Sequence, residues 1–143
     1  MSDAENPLES FKRATTATIR AIAGDDELDV VFGAGPPVVR GGTLRLPVPA
    51  MGANQTEIDA VRGVGDEFAL RFRHHNPQLH ARYSPEGGPA QEMFEWIESA
   101  RIASIGAMRM KGVAQNLDAH LEVQCKQAAF DTITAESDAP LSV

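Results

Sequence analysis

The spacing of apolar residues near the start of the chain predicts an amphipathic helix over residues 7–23. Four large apolar side chains recur there with helical spacing: Leu8, Phe11, Ile19 and Ile22. Asn6 can accept a hydrogen bond as the N-cap, and Pro7 suits the first helical turn. Gly24 follows the last apolar position and is a natural helix stop.

Two short apolar segments further along the chain predict a β-hairpin at about residues 28–48. Residues 28–32 are apolar and partly β-branched, and residues 43–48 alternate apolar with other side chains. The glycine and proline residues between them indicate loops. Pro47 suggests a strand at a sheet edge, because proline cannot donate a ladder hydrogen bond. A two-stranded hairpin is marginal alone, so we expect it to pack against helices.

A long stripe of mostly apolar residues with helical spacing predicts a second helix. This helix is expected to begin with a capping box at Thr56. The members of the stripe follow alternating three- and four-residue steps: Ile58, Val61, Gly65, Phe68, Phe72, His75 and Leu79. Asn76 precedes Pro77, and a residue before proline tends to leave the α region, so a break is expected near 75–76. Residues 85–89 contain two prolines and two glycines and indicate a loop.

The most apolar stretch, residues 90–110, predicts a helix at the centre of the core, because apolar residues occupy several of its faces. Gly112 is expected to end or kink this helix. A fourth helix is predicted from Val113 to about Phe130, with Val113, Leu117 and Leu121 facing inward. The fold class is therefore α+β and mostly helical, with about four helices packed against a small hairpin.

Length and composition fit one globular domain followed by a short tail. The chain has 143 residues, of which 43% are hydrophobic, and this is enough for a core within residues 1–130. Residues 131–143 contain acids, hydroxyl groups and a proline, and they are predicted to form an acidic tail or the start of a linker.

Charge and cysteine content exclude several classes of protein. The net charge of -7 argues against a general nucleic-acid binder. The single cysteine, Cys125, excludes an intramolecular disulfide and a multi-cysteine zinc site. No apolar run approaches the roughly 18 residues of a membrane span, and the first five residues are too polar for a signal peptide. We expect a cytoplasmic protein that binds neither nucleic acid nor membranes.

Candidate chemistry concentrates in residues 68–85, which contain no acidic residue. This segment carries six cationic or titratable side chains: Arg71, Arg73, His74, His75, His80 and Arg82. Neutral imidazoles are zinc ligands, so His74, His75 and His80 are candidate metal ligands. Their spacing differs from the i, i+4 pair of a zinc-peptidase helix, and adjacent helical residues point about 100° apart.

Two other interpretations of this segment stay open. His75 lies at the end of an apolar helical stripe, so one interpretation is a buried histidine whose ring nitrogens are hydrogen-bonded. Arg71, Arg73 and Arg82 have no acidic neighbours in sequence, so they are candidates for contact with a partner or an anion.

The remaining candidates for chemistry favour structural roles. Asp66 and Glu67 are predicted to lie on a solvated helix face. Trp96 is expected in the core, and Cys125 has no histidine close in sequence to activate it. The sequence also lacks a Gly-Lys-Ser/Thr phosphate loop. We therefore assign no catalytic and no cofactor-binding residue.

Six segments of the chain, taken together and in order, resemble a known family. They are residues 6–15, 44–47, 71–80, 98–101, 108–117 and 138–141. The most specific motif is His-His-x-Pro-x-x-His, which begins at His74. The sequence resembles the N-terminal region of the CobT subunit of aerobic, ATP-dependent cobaltochelatase, over almost the whole chain.

The resemblance implies a role in vitamin B12 synthesis. The cobaltochelatase complex inserts Co²⁺ into hydrogenobyrinic acid a,c-diamide, using ATP and Mg²⁺. In that family the large subunit CobN binds the corrinoid, the AAA+ subunit CobS hydrolyses ATP, and CobT joins CobS in a ring-like assembly. Full CobT subunits continue through an acidic linker into a von Willebrand factor A domain with a metal-dependent adhesion site. Residues 131–143 would be the start of that linker, and the domain itself has no match in this chain.

On this resemblance we expect a non-catalytic docking domain that holds no cofactor of its own and contacts CobS and CobN. The alternative is an autonomous zinc-binding domain, similar to a degenerate metallopeptidase, that uses His74, His75 and His80. The two expectations differ in the metal content of the purified protein.

Overall fold

The computed structural model of the chain describes residues 6–128. Within them the chain forms α1 (Pro7–Ala23), β1 (Asp29–Gly33), β2 (Val38–Arg40), β3 (Thr43–Pro47), α2 (Gln55–His74), α3 (Pro77–Tyr83), α4 (Gly88–Arg109) and α5 (Lys111–Gln127). The predicted α+β, mostly helical class is confirmed, with five helices in this range rather than about four. The predicted tail, residues 131–143, lies outside the described residues.

Local signals set both ends of α1 where the sequence predicts them. The Asn6 side chain accepts a hydrogen bond of 3.1 Å from the Leu8 amide. Gly24 adopts the left-handed conformation with φ of 72°, and its N–H donates to the Arg20 carbonyl. A left-handed residue costs glycine little and so ends the helix there.

The three strands form a mixed sheet with the order β1-β3-β2. β1 runs parallel to β3, whereas β2 runs antiparallel to it. Residues 28–32 and 43–48 are therefore neighbours as predicted, but they pair in parallel. The prediction that they form a hairpin is wrong, since the hairpin partner of β3 is β2. Gly41 and Gly42 have φ of 59° and 85°, and two consecutive left-handed residues form the tight turn that joins antiparallel strands.

The prediction that Pro47 marks an edge strand is also wrong. Pro47 is the last residue of the central strand and is paired with Gly33 of β1. The β2 pairing reaches only as far as Arg45. The missing proline N–H therefore lies beyond the β2 ladder, where it costs no hydrogen bond.

Helix α2 is the central element of the fold. It packs against α1, α4, α5 and β3, and it carries seven buried residues: Ala60, Gly63, Val64, Gly65, Asp66, Ala69 and Leu70. Its capping box uses Asn54 and Glu57, two residues before the predicted start at Thr56. The predicted break is confirmed, because His75 ends α2 and Asn76 caps α3.

The prediction that residues 90–110 form the buried central helix is wrong. α4 buries two residues, Ile102 and Gly106. α4 ends at Arg109 with Met110 as its C-cap, and Gly112 lies inside α5 instead of ending a helix. In α5, Val113 is buried as predicted, but Leu121 is 48% exposed. No helix among the described residues, α4 included, is long and apolar enough to cross a membrane.

Glycines allow α2 to approach its neighbours closely. A Cβ added at Gly63 would overlap the backbone carbonyl of Asn116 on α5. A Cβ at Gly106 would collide with the side chain of Leu70, which is 1% exposed. The approach of α5 is thus held at a distance that only glycine permits, whereas the atoms that Gly106 of α4 would meet belong to the end of a side chain.

Candidate functional site

Two histidines and two glutamates meet where α2, α3 and α4 come together. His75 Nδ1 lies 2.9 Å from Glu98 Oε1, and His80 Nε2 lies 2.6 Å from Glu95 Oε1. The centroids of the two imidazole rings are 4.8 Å apart. We call His75, His80, Glu95 and Glu98 the His–Glu cluster.

The break after α2 brings the two histidines together. The Asn76 side chain accepts a hydrogen bond from the Leu79 amide at 3.0 Å, and Pro77 occupies the first turn of α3. The chain therefore changes direction between His75 and His80. None of the seven residues of α3, all of them described, is buried. Contacts of His80 with Glu95 and with the Phe94 ring, 4.8 Å away, join α3 to α4.

Two arginines balance the glutamates of the cluster. Arg101 donates to both oxygens of Glu98, at 2.7 and 2.8 Å, and to the His74 carbonyl at 2.9 Å. The hydrogen bonds from Arg101, and then that from His75, lower the pKa of Glu98 to about 2. The hydrogen bond with His80, aided by the charges of His80 and Arg71, lowers the pKa of Glu95. Both carboxylates are therefore ionised at neutral pH.

Replacing Glu98 should destabilise the protein in a pH-dependent way. The folded state lowers the pKa of Glu98 from 4.5 to about 2, so its stabilising contribution is present above pH 4.5 and disappears as pH falls through 2. Glu98→Gln should lower the free energy of unfolding by about 1.5–3 kcal/mol at pH 7, the range for hydrogen bonds to charged groups. Urea denaturation at pH 7 and at several acidic pH values measures this difference.

The control for this prediction is Glu92→Gln, at an exposed position of the same helix. It should change stability by less than about 0.5 kcal/mol at every pH. An equal loss in both variants, or a loss for Glu98→Gln that does not shrink toward pH 2, would contradict the expected role of Glu98.

The geometry of the cluster suits metal ligation. One ligand atom from each of His75, His80 and Glu98 lies within 4.8 Å of the others. The structure thus brings together two of the three predicted histidine ligands and adds a carboxylate from α4. His74 lines a different groove, with Arg73 and Arg109. Loss of hydration, followed by the charges of Arg109, Arg73 and Arg101, lowers the pKa of His74.

The three arginines proposed as partner or anion contacts have different surroundings, and Arg71 contacts the His–Glu cluster. Arg71 Nη2 is 3.5 Å from Glu95 Oε2. Arg73 donates to the Ile22 carbonyl at 3.2 Å. The Arg82 guanidinium lies 5.5 Å from the centroid of the Tyr83 ring. Their contact with a partner stays a prediction.

Asp66 is buried, contrary to the prediction of a solvated helix face for Asp66 and Glu67. Asp66 is 2% exposed, and Asn116 Nδ2 donates to its Oδ2 at 2.7 Å. Burial raises its pKa to about 6, against the opposing effects of Asn116 and Arg62. The physical reason is Gly63, one turn earlier, which lets α5 close over this face of α2. The side chain of Glu67 does reach solvent, at 45% exposure.

A polar cavity of about 860 Å³ lies beside Asp66, between α1, α2 and α5. Thr15 also lines it; this residue is 5% exposed, and its hydroxyl has no hydrogen-bond partner among the described residues. Three further acids and one arginine contribute to the wall: Asp59, Asp118, Glu122 and Arg62. The cavity therefore carries an excess of negative charge.

An apolar stripe on α4 faces solvent. Met93 is 43% exposed, Ile97 is 61% exposed and Met108 is 87% exposed. Together with the exposed Ala100 and Ser104 they follow three- and four-residue steps, so they share one helical face. We call Met93, Ile97, Ala100 and Met108 the α4 stripe. The sequence shows these residues, but their helical spacing alone does not show that they face outward.

A family model described as cobalamin biosynthesis protein CobT matches residues 5–143, which is nearly the whole chain. No solved structure matches this chain.

Proposed function

Because the chain belongs to the CobT family of cobalamin biosynthesis proteins, we propose that it is a non-catalytic docking domain of a cobaltochelatase complex. In this proposal ATP hydrolysis, with its Mg²⁺, and the insertion of Co²⁺ into hydrogenobyrinic acid a,c-diamide take place on the partner chains. The lack of a Gly-Lys-Ser/Thr phosphate loop in the sequence supports placing ATP on another subunit.

The α4 stripe is the observation that carries the docking proposal. Large apolar side chains that share an exposed helical face are typical of surfaces that a partner covers. From Met93 to Met108 the stripe extends about 22 Å at the helical rise of 1.5 Å per residue. That length suits a helix packed into a groove of another protein.

The proposed partner of the α4 stripe is the AAA+ ATPase subunit, CobS. The family resemblance supports this choice, since CobT subunits join that ATPase in a ring-like assembly. The corrin-binding subunit CobN would then meet the combined assembly. Arg71 reaches Glu95 in the N-terminal half of α4. In this proposal Arg71, together with Arg82 of α3, would add polar contacts at the rim of the surface.

A charged residue in the α4 stripe should weaken the complex. Ile97→Glu places a carboxylate in the middle of the apolar surface, where a partner would have to bury it. We expect binding of the AAA+ subunit in the presence of Mg·ATP to weaken by about tenfold or more, the loss typical of a central interface residue. Native mass spectrometry of the mixture, followed by titration calorimetry, measures the change.

Met51→Glu is the matched control, because Met51 is fully exposed in the loop between β3 and α2. It introduces the same charge away from α4 and should leave the affinity unchanged. Both variants should keep the far-UV circular dichroism spectrum of the parent protein. A complex that tolerates Ile97→Glu as well as Met51→Glu would show that the α4 stripe is not the docking surface.

A further inference from the structure

We propose that His75, His80 and Glu98 bind a divalent transition-metal ion of the kind that prefers imidazole and carboxylate ligands, such as Zn²⁺ or Co²⁺. This inference stands on the geometry of the His–Glu cluster and does not depend on the docking proposal. It changes the ligand set expected from the sequence, since Glu98 takes the place of His74.

The distances within the cluster are close to those of a metal site. Ligand atoms of the three residues lie within 4.8 Å of one another. Bonds of about 2.0–2.1 Å to a tetrahedral ion place its ligand atoms about 3.4 Å apart. The cluster must therefore contract by roughly 1 Å or a little more to meet these bond lengths. α3 has no buried residue to resist that movement, and it carries His80.

Hydrogen bonding leaves ligand lone pairs available to the ion. A neutral imidazole that donates one N–H to a carboxylate keeps a lone pair on its other nitrogen. One ring nitrogen of His75 is hydrogen-bonded to Glu98, and one ring nitrogen of His80 is hydrogen-bonded to Glu95. Glu95, which is not one of the three proposed ligands, can orient His80 as outer carboxylates orient metal-binding histidines. The hydrogen bond between His75 and Glu98 has to open for both residues to face the same ion. Glu98 Oε1 is contacted by both Arg101 and His75, whereas Oε2 is contacted by Arg101 alone, so the lone pair that stays free for an ion is the second one on Oε2.

The charges of the cluster nearly cancel. Glu95 and Glu98 are balanced by Arg71 and Arg101, so a cation meets no large net repulsion there. The side chains of His75, His80 and Glu98 are 13–15% exposed, so the site is sheltered from water but open enough for an ion to enter.

Metal titration of the purified chain, first stripped with a chelator, tests this inference. We expect Zn²⁺ to bind with one equivalent in titration calorimetry and to raise the melting temperature. Co²⁺ should bind the same site more weakly, following the usual order of affinities, with visible absorption that reports four-coordinate nitrogen and oxygen ligands. Competition between the two ions distinguishes a shared site from two separate ones.

Variants assign the ligands. His80→Ala and Glu98→Gln should each weaken Zn²⁺ binding by about 100-fold, since loss of an outer partner alone costs roughly 10–100-fold. His74→Ala and His120→Ala are the controls, because both histidines lie outside the ligand group. Neither control should change the affinity by more than about twofold, in contrast to the 10–100-fold loss expected even from an outer partner.

Three results would overturn the inference. One is the absence of saturable Zn²⁺ and Co²⁺ binding to the parent chain. Another is a loss of affinity in His74→Ala as large as that in His80→Ala. The third is unchanged binding in both His80→Ala and Glu98→Gln. Circular dichroism of every variant shows that the fold is kept, and Glu98→Gln preserves side-chain volume where His80→Ala does not.

Discussion

Gly63→Ala should lower the free energy of unfolding by about 3 kcal/mol, at the upper end of the usual cost of overpacking. The added methyl group would overlap the Asn116 carbonyl oxygen and would lie 2.7 Å from the Cβ of His120. A backbone oxygen and a Cβ cannot rotate away as the tip of a side chain can. The contact between α2 and α5 must therefore open along much of its length, and Asp66 loses its hydrogen bond from Asn116.

Gly112→Ala is the matched control, and it should act in the opposite direction. Gly112 lies in α5, and no atom lies within 4 Å of the position of an added Cβ. The substitution restricts the unfolded chain without a clash, so we expect a gain of about 0.5 kcal/mol. Urea denaturation followed by circular dichroism compares the two variants. Similar effects of both substitutions would show that Gly63 is not needed for the close approach of the helices.

The elements that the sequence predicts correctly depend on local chemistry. α1 begins and ends as expected because a capping side chain and a left-handed glycine act within a few residues of each other. The break near 75–76 follows in the same way from the steric effect of Pro77 on Asn76. Such signals require no knowledge of what the helix packs against.

The incorrect predictions concern partners that are distant in sequence. Residues 28–32 and 43–48 do pair, but in parallel, and β2 forms the hairpin with β3. Apolar alternation in each segment is compatible with either strand direction. The sequence predicts α4 as the central helix, whereas the central helix is α2. This error has a similar cause. Apolar residues on several faces of α4 indicate burial, yet they are equally expected for a helix that presents the α4 stripe to a partner.

The candidate site could be predicted only in part for the same reason. His75 and His80 are close in sequence, so the segment that carries them stands out. Glu95 and Glu98 reach them from 15 and 23 residues away, and no local pattern marks either glutamate. Asp66 has an ordinary helical sequence around it. Its burial follows from the approach of α5 at Gly63, which is a tertiary effect.

The buried carboxyl of Asp66 should make the protein less stable as pH rises. Its pKa is 3.8 in the unfolded chain and about 6 in the folded state, so the folded state binds the proton more tightly. The free energy of unfolding should therefore fall between pH 4 and pH 6 and level off above that range. Each pKa unit is worth about 1.36 kcal/mol, which gives a loss of about 3 kcal/mol at pH 7.

Asp66→Asn should remove this loss. The amide resembles the protonated carboxyl in shape, and its oxygen can still accept the hydrogen bond from Asn116. We expect the variant to be up to about 3 kcal/mol more stable than the parent at pH 7 and equally stable below pH 4, as the shifted pKa of Asp66 requires. Urea denaturation of both proteins at intervals between pH 4 and pH 7 measures the difference.

Glu67→Gln removes a carboxyl from the next position of α2, where the side chain reaches solvent, and it controls for the change of net charge. Its stability relative to the parent should differ by less than about 1 kcal/mol at pH 7, as for exposed ion pairs. If Asp66→Asn destabilised the protein at pH 7, the ionised carboxylate would have to be favoured in the fold. That result would contradict the expected loss of stability with rising pH.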